Sequence, residues 1–134
     1  MKQICDKYGS ELALILEPAD YIQSNDKKFF SDAGDILQVG SLHFSKGSAV
    51  APHIHKHKEH AGNPMEVLLV LYGIGVEADI YDEEKQLVDT LELSSGDILI
   101  QKRGGHGFRF PGAATLLEVK LGPYDGRDSD KEMI

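Results

Sequence analysis

Hydrophobic positions in this chain come in short runs, at residues 12–16, 36–44, 67–72, 76–81, 86–93, 97–101, 107–110 and 115–121, separated by Gly, Pro, Asn and Asp. Many short segments at roughly 8–12-residue spacing predict an all-β sandwich or barrel rather than alternating βαβ units. Where a run alternates, it also shows which face is covered. In Val76-Glu77-Ala78-Asp79-Ile80-Tyr81 the apolar residues take one face and the acids the other. Val76, Ala78 and Ile80 are therefore expected to point inward from an antiparallel sheet that is wet on its other side. The charged turn Asp82-Glu83-Glu84-Lys85 and the break at Gly73-Ile74-Gly75 mark hairpins. A short helical or irregular segment is expected only near the N-terminus, around 18–24 or 27–30, with Phe29 and Phe30 covering one end of the barrel. Residues 125–134, rich in charge and poor in apolar side chains, read as a solvated tail.

Composition narrows the picture. The 134 residues suit a single domain, 1–134, with a barrel core at about 36–121. A formal charge of −8 argues against a nucleic-acid surface, since that affinity comes largely from Lys and Arg neutralising phosphates. A small molecule is the better partner. The single cysteine, Cys5, has no internal disulfide partner, and the opening MKQICDKYGSELALILEP lacks a signal-peptide core, so a cytoplasmic address is expected. No run approaches the ~20 apolar residues that span a bilayer, and no membrane role is expected.

The chemistry concentrates in two places. His53 and His55 are two residues apart, so in an extended strand both imidazoles leave the same face. Glu66 heads the next apolar run, and His106 follows Lys102-Arg103-Gly104-Gly105 some forty residues later. Three histidines and a carboxylate from separate strands form a ligand complement for one divalent transition metal: Zn, Fe, Mn, Ni or Co. With an octahedral ion, two adjacent positions would stay open, whereas a tetrahedral zinc would be closed and structural.

Other residues qualify as accessories. His57 shares the parity of His53 and His55 and is a catalytic candidate. Glu59 and His60 fall in the same loop, but Glu66 is the preferred carboxylate because an apolar strand and Gly73 follow it. Tyr72 has the parity of Glu66, Leu68 and Val70, so its ring is expected inside the barrel, where its hydroxyl could act on a ligand. Phe108 and Phe110 share parity with His106 and are candidates for an apolar substrate wall. Lys102 and Arg103 are candidates for holding a substrate anion, Arg109 is expected on the surface, and His43 lies on a strand of undecided facing.

The spacing Gly47-x5-His53-x-His55-x10-Glu66-x6-Gly73, followed by Gly96-x9-His106, resembles the two motifs of the cupin superfamily, G-x5-H-x-H-x3–4-E-x6-G and G-x5-P-x-G-x2-H-x3-N. The likeness runs from about Ile36 to Leu121. It implies a jelly-roll barrel, a double-stranded β-helix, with His53, His55, Glu66 and His106 as metal ligands. Two departures stand out. Ten residues separate His55 from Glu66, so a longer loop is expected to overhang the site. In the second motif Lys102 stands where the family has proline, His106 comes one residue early, and Phe110 replaces the asparagine.

Cupin-like barrels host several reaction types, so fold alone does not assign one. The leading expectation is metal-assisted isomerase, epimerase or lyase chemistry on a small oxygen-rich substrate, a sugar or hydroxy acid. Its link to polysaccharide synthesis comes from the likeness of the Gly122-Pro123-Tyr124-Asp125-Gly126 ending to small cupins that accompany that process. The alternatives are an Fe(II)-dependent dioxygenase, a non-catalytic metal-dependent binder, and a metal-free sugar-nucleotide isomerase. Related barrels commonly dimerise through their N-terminal edge, which implies a homodimer contact before Ile36.

Overall fold

The computed structural model describes residues 1–22, 27–57, 64–124 and 126–134. A hairpin of β1 (Lys2–Cys5) and β2 (Glu11–Ile15) leads into the short helix α1 (Pro18–Ile22) and the two-residue strand β3 (Lys28–Phe29). The barrel wall follows as β4 (Leu37–Phe44), β5 (Ala49–His55), β6 (Glu66–Tyr72), β7 (Val76–Tyr81), β8 (Leu87–Leu93), β9 (Ile98–Gln101), β10 (Gly105–Arg109) and β11 (Ala114–Leu121). A single turn of helix, α2 (Arg127–Asp130), delivers the chain to β12 (Lys131–Met133).

Two five-stranded antiparallel sheets, ordered β12-β5-β10-β7-β8 and β3-β4-β11-β6-β9, face each other in the jelly-roll manner. The connections repeatedly cross from one sheet to the other, as when β5 on the first is followed by β6 on the second. This is the all-β double-stranded helix expected from the sequence, with its short helical segment at the N-terminal end. Alternation fills the space between the sheets: Leu42, Leu68, Val70 and Leu116 come from one, and Val76, Ala78, Phe108 and Phe110 from the other. Ile80 is only partly buried. On the outer face of β7, Asp79 is nonetheless covered, because Thr90 donates to it at 2.6 Å and the half-exposed Arg109 lies across it.

The C-terminal segment corrects the sequence reading. Residues 131–133 are not a solvated tail but pair with the open edge of β5, Lys131 opposite His55 and Met133 opposite His53. The Ile134 amide adds a bond to the Pro52 carbonyl at 3.0 Å, and the Lys56 amide one to the Asp130 carbonyl at 2.8 Å. An unpaired edge next to the histidines is thereby covered. The physical reason lies in Asp130, which is buried and meets Lys120 at 3.0 Å, so an acidic segment finds a charged partner inside the barrel wall.

Candidate metal centre

The site is assembled from both sheets. His53 and His55 leave the inner face of β5, and His106 leaves β10 directly across from His53 in register. Glu66 opens β6 on the facing sheet. Gly105 lets β10 come this close: a Cβ there would lie 2.6 Å from the His53 carbonyl. The framing glycines Gly47 and Gly73 hold φ at 81° and 141°, left-handed values that other residues rarely adopt. A register shift between His106 and Phe108 interrupts the β10–β5 ladder, at the segment where the second motif departs in spacing.

The three imidazoles present ligand nitrogens all within 4.8 Å of one another. The Glu66 carboxylate lies among them, its Oε2 3.2 Å from His106 Nε2 and 3.5 Å from His55 Nε2. None of these contacts is a well-formed hydrogen bond. Glu66 Oε2 and His55 Nε2 are buried without a hydrogen-bond partner among the described residues, as is His106 Nδ1. Buried polar atoms are normally satisfied, and Glu66 Oε2 and His55 Nε2, orphaned 3.5 Å apart, are placed as two ligand atoms of one cation would be. The outer nitrogens supply a second argument. A carbonyl can only accept, so His53 Nδ1 carries the proton it gives to the Ala51 carbonyl at 2.9 Å, which leaves Nε2 as a lone pair. His55 Nδ1 faces Asp130 at 3.3 Å in the same sense. Carboxylate or carbonyl contacts behind ligating histidines are the usual means of fixing their tautomer. The donor set fits a divalent ion.

Electrostatics agree for two of the histidines. Burial pushes His53 down to about 3 and His106 to about 4, so both are neutral and ligand-ready at neutral pH. For His55 burial acts the same way, but Asp130 and Glu66 outweigh it and raise the ring to about 9. Burial disfavours the Glu66 charge, yet the close approach of His55 and, once it is protonated in acid, of His106 holds it below the ordinary carboxylate range. Next to it, Glu118 is raised to about 8, first by burial and then by its contact with Glu66.

These shifts set the acid response of the metal-free protein. Below about pH 6.5 the unfolded chain takes up protons that folded His53 and His106 refuse until about pH 3 and 4, so stability falls as pH falls. Glu118 opposes this between pH 4.5 and about 8, but it is one group against two. On the alkaline side, the stabilisation from charged His55 is complete below about 6.5 and is lost as pH rises through about 9. The urea midpoint of metal-free protein is expected to peak near pH 6.5, and a midpoint that rises steadily down to pH 4 would contradict this placement of the histidines.

Among the accessory residues, the structure keeps some and relocates others. Phe108 lines the inner cavity with its ring 5.0 Å from His106. Phe110 is deeper core, stacked on Phe44. Tyr72 does not face the interior and is 65% exposed. The ladder slips between Thr115 and Leu116, pairing Tyr72 with Thr115, and one extra residue in β6 turns the ring to the outer face. His57 lies past the end of β5, exposed, in a separate depression with Pro64, Arg103 and Glu132. Lys102 follows Gln101, whose side chain points inward to the Arg103 carbonyl at 2.6 Å, so alternation turns Lys102 out to solvent. His43 bonds Thr115 Oγ1 at 3.0 Å, away from the cluster. Glu59, His60 and most of the long loop lie outside the described residues.

Sequence reasoning passed over Glu118, Lys120 and Asp130. The signal was available in Leu116-Leu117-Glu118-Val119-Lys120-Leu121, where two charged residues take the same strand parity as core Leu116.

No family model matches the chain, and no curated protein matches it. Solved structures do. A conserved protein with a double-stranded β-helix domain from Klebsiella pneumoniae subsp. pneumoniae MGH 78578 is similar with a TM-score of 0.62 at 20% identity, over 86% of this chain and 95% of that one. A cupin superfamily protein from Desulfitobacterium hafniense DCB-2 gives 0.60 at 17% identity, over 79% and 88%. Oxalate oxidase in complex with the substrate analogue glycolate gives 0.55 at 18%, over 68% of this chain and 44% of that one. The fold is the cupin fold. Among the described residues, no helix is long and apolar enough to cross a membrane.

Proposed function

We propose that the protein is a metal-dependent cupin that holds one divalent transition ion through His53, His55, Glu66 and His106 and acts on a small oxygen-rich molecule, a sugar or hydroxy acid. The observation that carries this reading is the convergence of three imidazoles of one sheet with Glu66 of the facing sheet, where Glu66 Oε2 and His55 Nε2 have no hydrogen-bond partner among the described residues. When bound, the ion would polarise a carbonyl or chelate adjacent oxygens of the ligand. The chain supplies the rest. Leu42, Leu68, Phe108 and Leu116 wall the inner cavity, and Glu118 on the same wall is protonated at neutral pH. A carboxylic acid beside the ligand can give a proton and take one back, which favours isomerase, epimerase or lyase chemistry over oxygen activation.

Deuterium wash-in by NMR tests this. Metal-loaded protein incubated in D2O with a panel of aldoses and hydroxy acids is expected to exchange a C–H next to a carbonyl, and Glu118→Gln to slow exchange by about 10²–10⁴-fold. Saturable binding without exchange would favour the non-catalytic binder, and oxygen consumption with iron but not zinc the dioxygenase.

Asp130 supports the site from behind His55. Asp130→Ala is expected to weaken metal binding by about 10–100-fold in competition with a chromophoric chelator. An unchanged affinity would remove the C-terminal strap from the site. Self-association fits the N-terminal hairpin, which forms its own two-stranded sheet and exposes Leu12 and Ile15. Light scattering is expected to give a dimer mass, and a monomer after deletion of residues 1–15.

A further inference from the structure

The open edge between the two sheets carries a charge pattern that metal ligation does not use. β3 ends one sheet and β12 ends the other. Phe29 lines the cavity between these strands, as does Lys27 two residues before it, while Lys28 turns away to the Asp20 carbonyl. β12 repeats the device: Lys131 and Met133 line the cavity, and Glu132 turns away to Lys85 at 2.5 Å. The cavity measures about 450 Å³, with Lys120 also in its wall and the stacked rings of Phe29 and Tyr124 as an apolar side. Its volume lies within the range of roughly 300–1,000 Å³ typical of small-molecule sites. Lys27 and Lys131 also line the smaller space against His53, Glu66 and His106, so both stand where the mouth meets the ligand cluster.

Lys27, Lys120 and Lys131 stand in this wall with Asp130 and Glu118, so the wall is net positive. Lys120 is already engaged by Asp130 at 3.0 Å.

We propose that the mouth binds the carboxylate of a small polyhydroxylated acid through Lys27 and Lys131, with the ligand's hydroxyl or carbonyl oxygens directed at the histidine and glutamate cluster. The proposal rests on the metal-dependent reading above and narrows its ligand to an anion. A single carboxylate suits the wall better than a phosphate dianion. Ionised Asp130 stands in the same wall, and among the described lining residues there is no arginine fork of the kind that grips phosphate.

The test measures binding of D-gluconate, its neutral counterpart D-glucitol, and glucose 6-phosphate to Mn²⁺-loaded protein by calorimetry at fixed ionic strength. Gluconate is expected to bind about tenfold more tightly than glucitol and more tightly than the phosphate. Lys27→Met with Lys131→Met is expected to erase the preference for gluconate and leave manganese affinity within about twofold. If the double variant does not fold, Lys27→Met alone is expected to reduce the preference, because Lys27 is exposed and precedes its strand. Equal binding of gluconate and glucitol by the unmodified protein would overturn the proposal, as would tighter binding of the phosphate. So would a preference that survives in the variants, which would mean that the carboxylate goes straight to the ion. Each of these results leaves the metal reading standing, whereas failure of the unmodified protein to hold manganese would defeat both.

Discussion

Glu66→Ala is expected to weaken divalent-metal binding by more than about 100-fold, beyond the loss typical of removing an outer-sphere partner. Glu66 is the one anion in the cluster and faces two imidazole nitrogens with the same oxygen. Its removal strips the site of the charge that offsets the ion's own. It also removes a group that holds His55 protonated in metal-free protein, although Asp130 remains to do part of this. Glu66→Gln keeps the shape without the charge and is expected to fall between the two. Competition against a chelator measures the affinity, and the loss of metal-dependent thermal protection gives an independent reading. An unchanged affinity in Glu66→Ala would show that the ion is held elsewhere.

The second large effect concerns the barrel rather than the ion. Phe110→Ala is expected to destabilise the metal-free protein by about 3–5 kcal/mol, the usual cost of emptying a buried aromatic site. Phe110 is 1% exposed and lies 3.9 Å from the Phe44 ring at an 8° interplanar angle, with Phe108 as its next neighbour. Strands from opposite sheets meet there, so little can collapse to fill the gap. Urea denaturation with the ion removed isolates this loss from any change in metal affinity. A loss below about 1 kcal/mol would mean that the site repacks, against the close packing described.

The sequence made the barrel legible because its strands are short, alternate cleanly and are separated by turn residues. The candidate ligands were legible for the same reason. His53 and His55 declare a shared face by their spacing, and Glu66 is identified by the apolar run and glycine behind it. What stayed hidden depended on pairing between distant segments. Tyr72 has the right parity for the interior, and only the slip opposite Thr115 turns it out. The segment at 125–134 looks solvated because no local pattern reveals that the edge of β5 is vacant and that Lys120 waits for Asp130. Glu118 and Lys120 could have been found from alternation, since charged residues on the inward parity of a strand must be paired or functional.

Metal content of the intact protein, purified without nickel resin and weighed by native mass spectrometry, separates a built site from a histidine-rich turn. One divalent ion per chain is expected in the unmodified protein and in His57→Ala, and none in His106→Ala, where a residue remote in the chain is removed but the His53–His57 stretch is intact. An ion that stays in His106→Ala, or that leaves with His57, would contradict the convergence of His53, His55, Glu66 and His106 on one point.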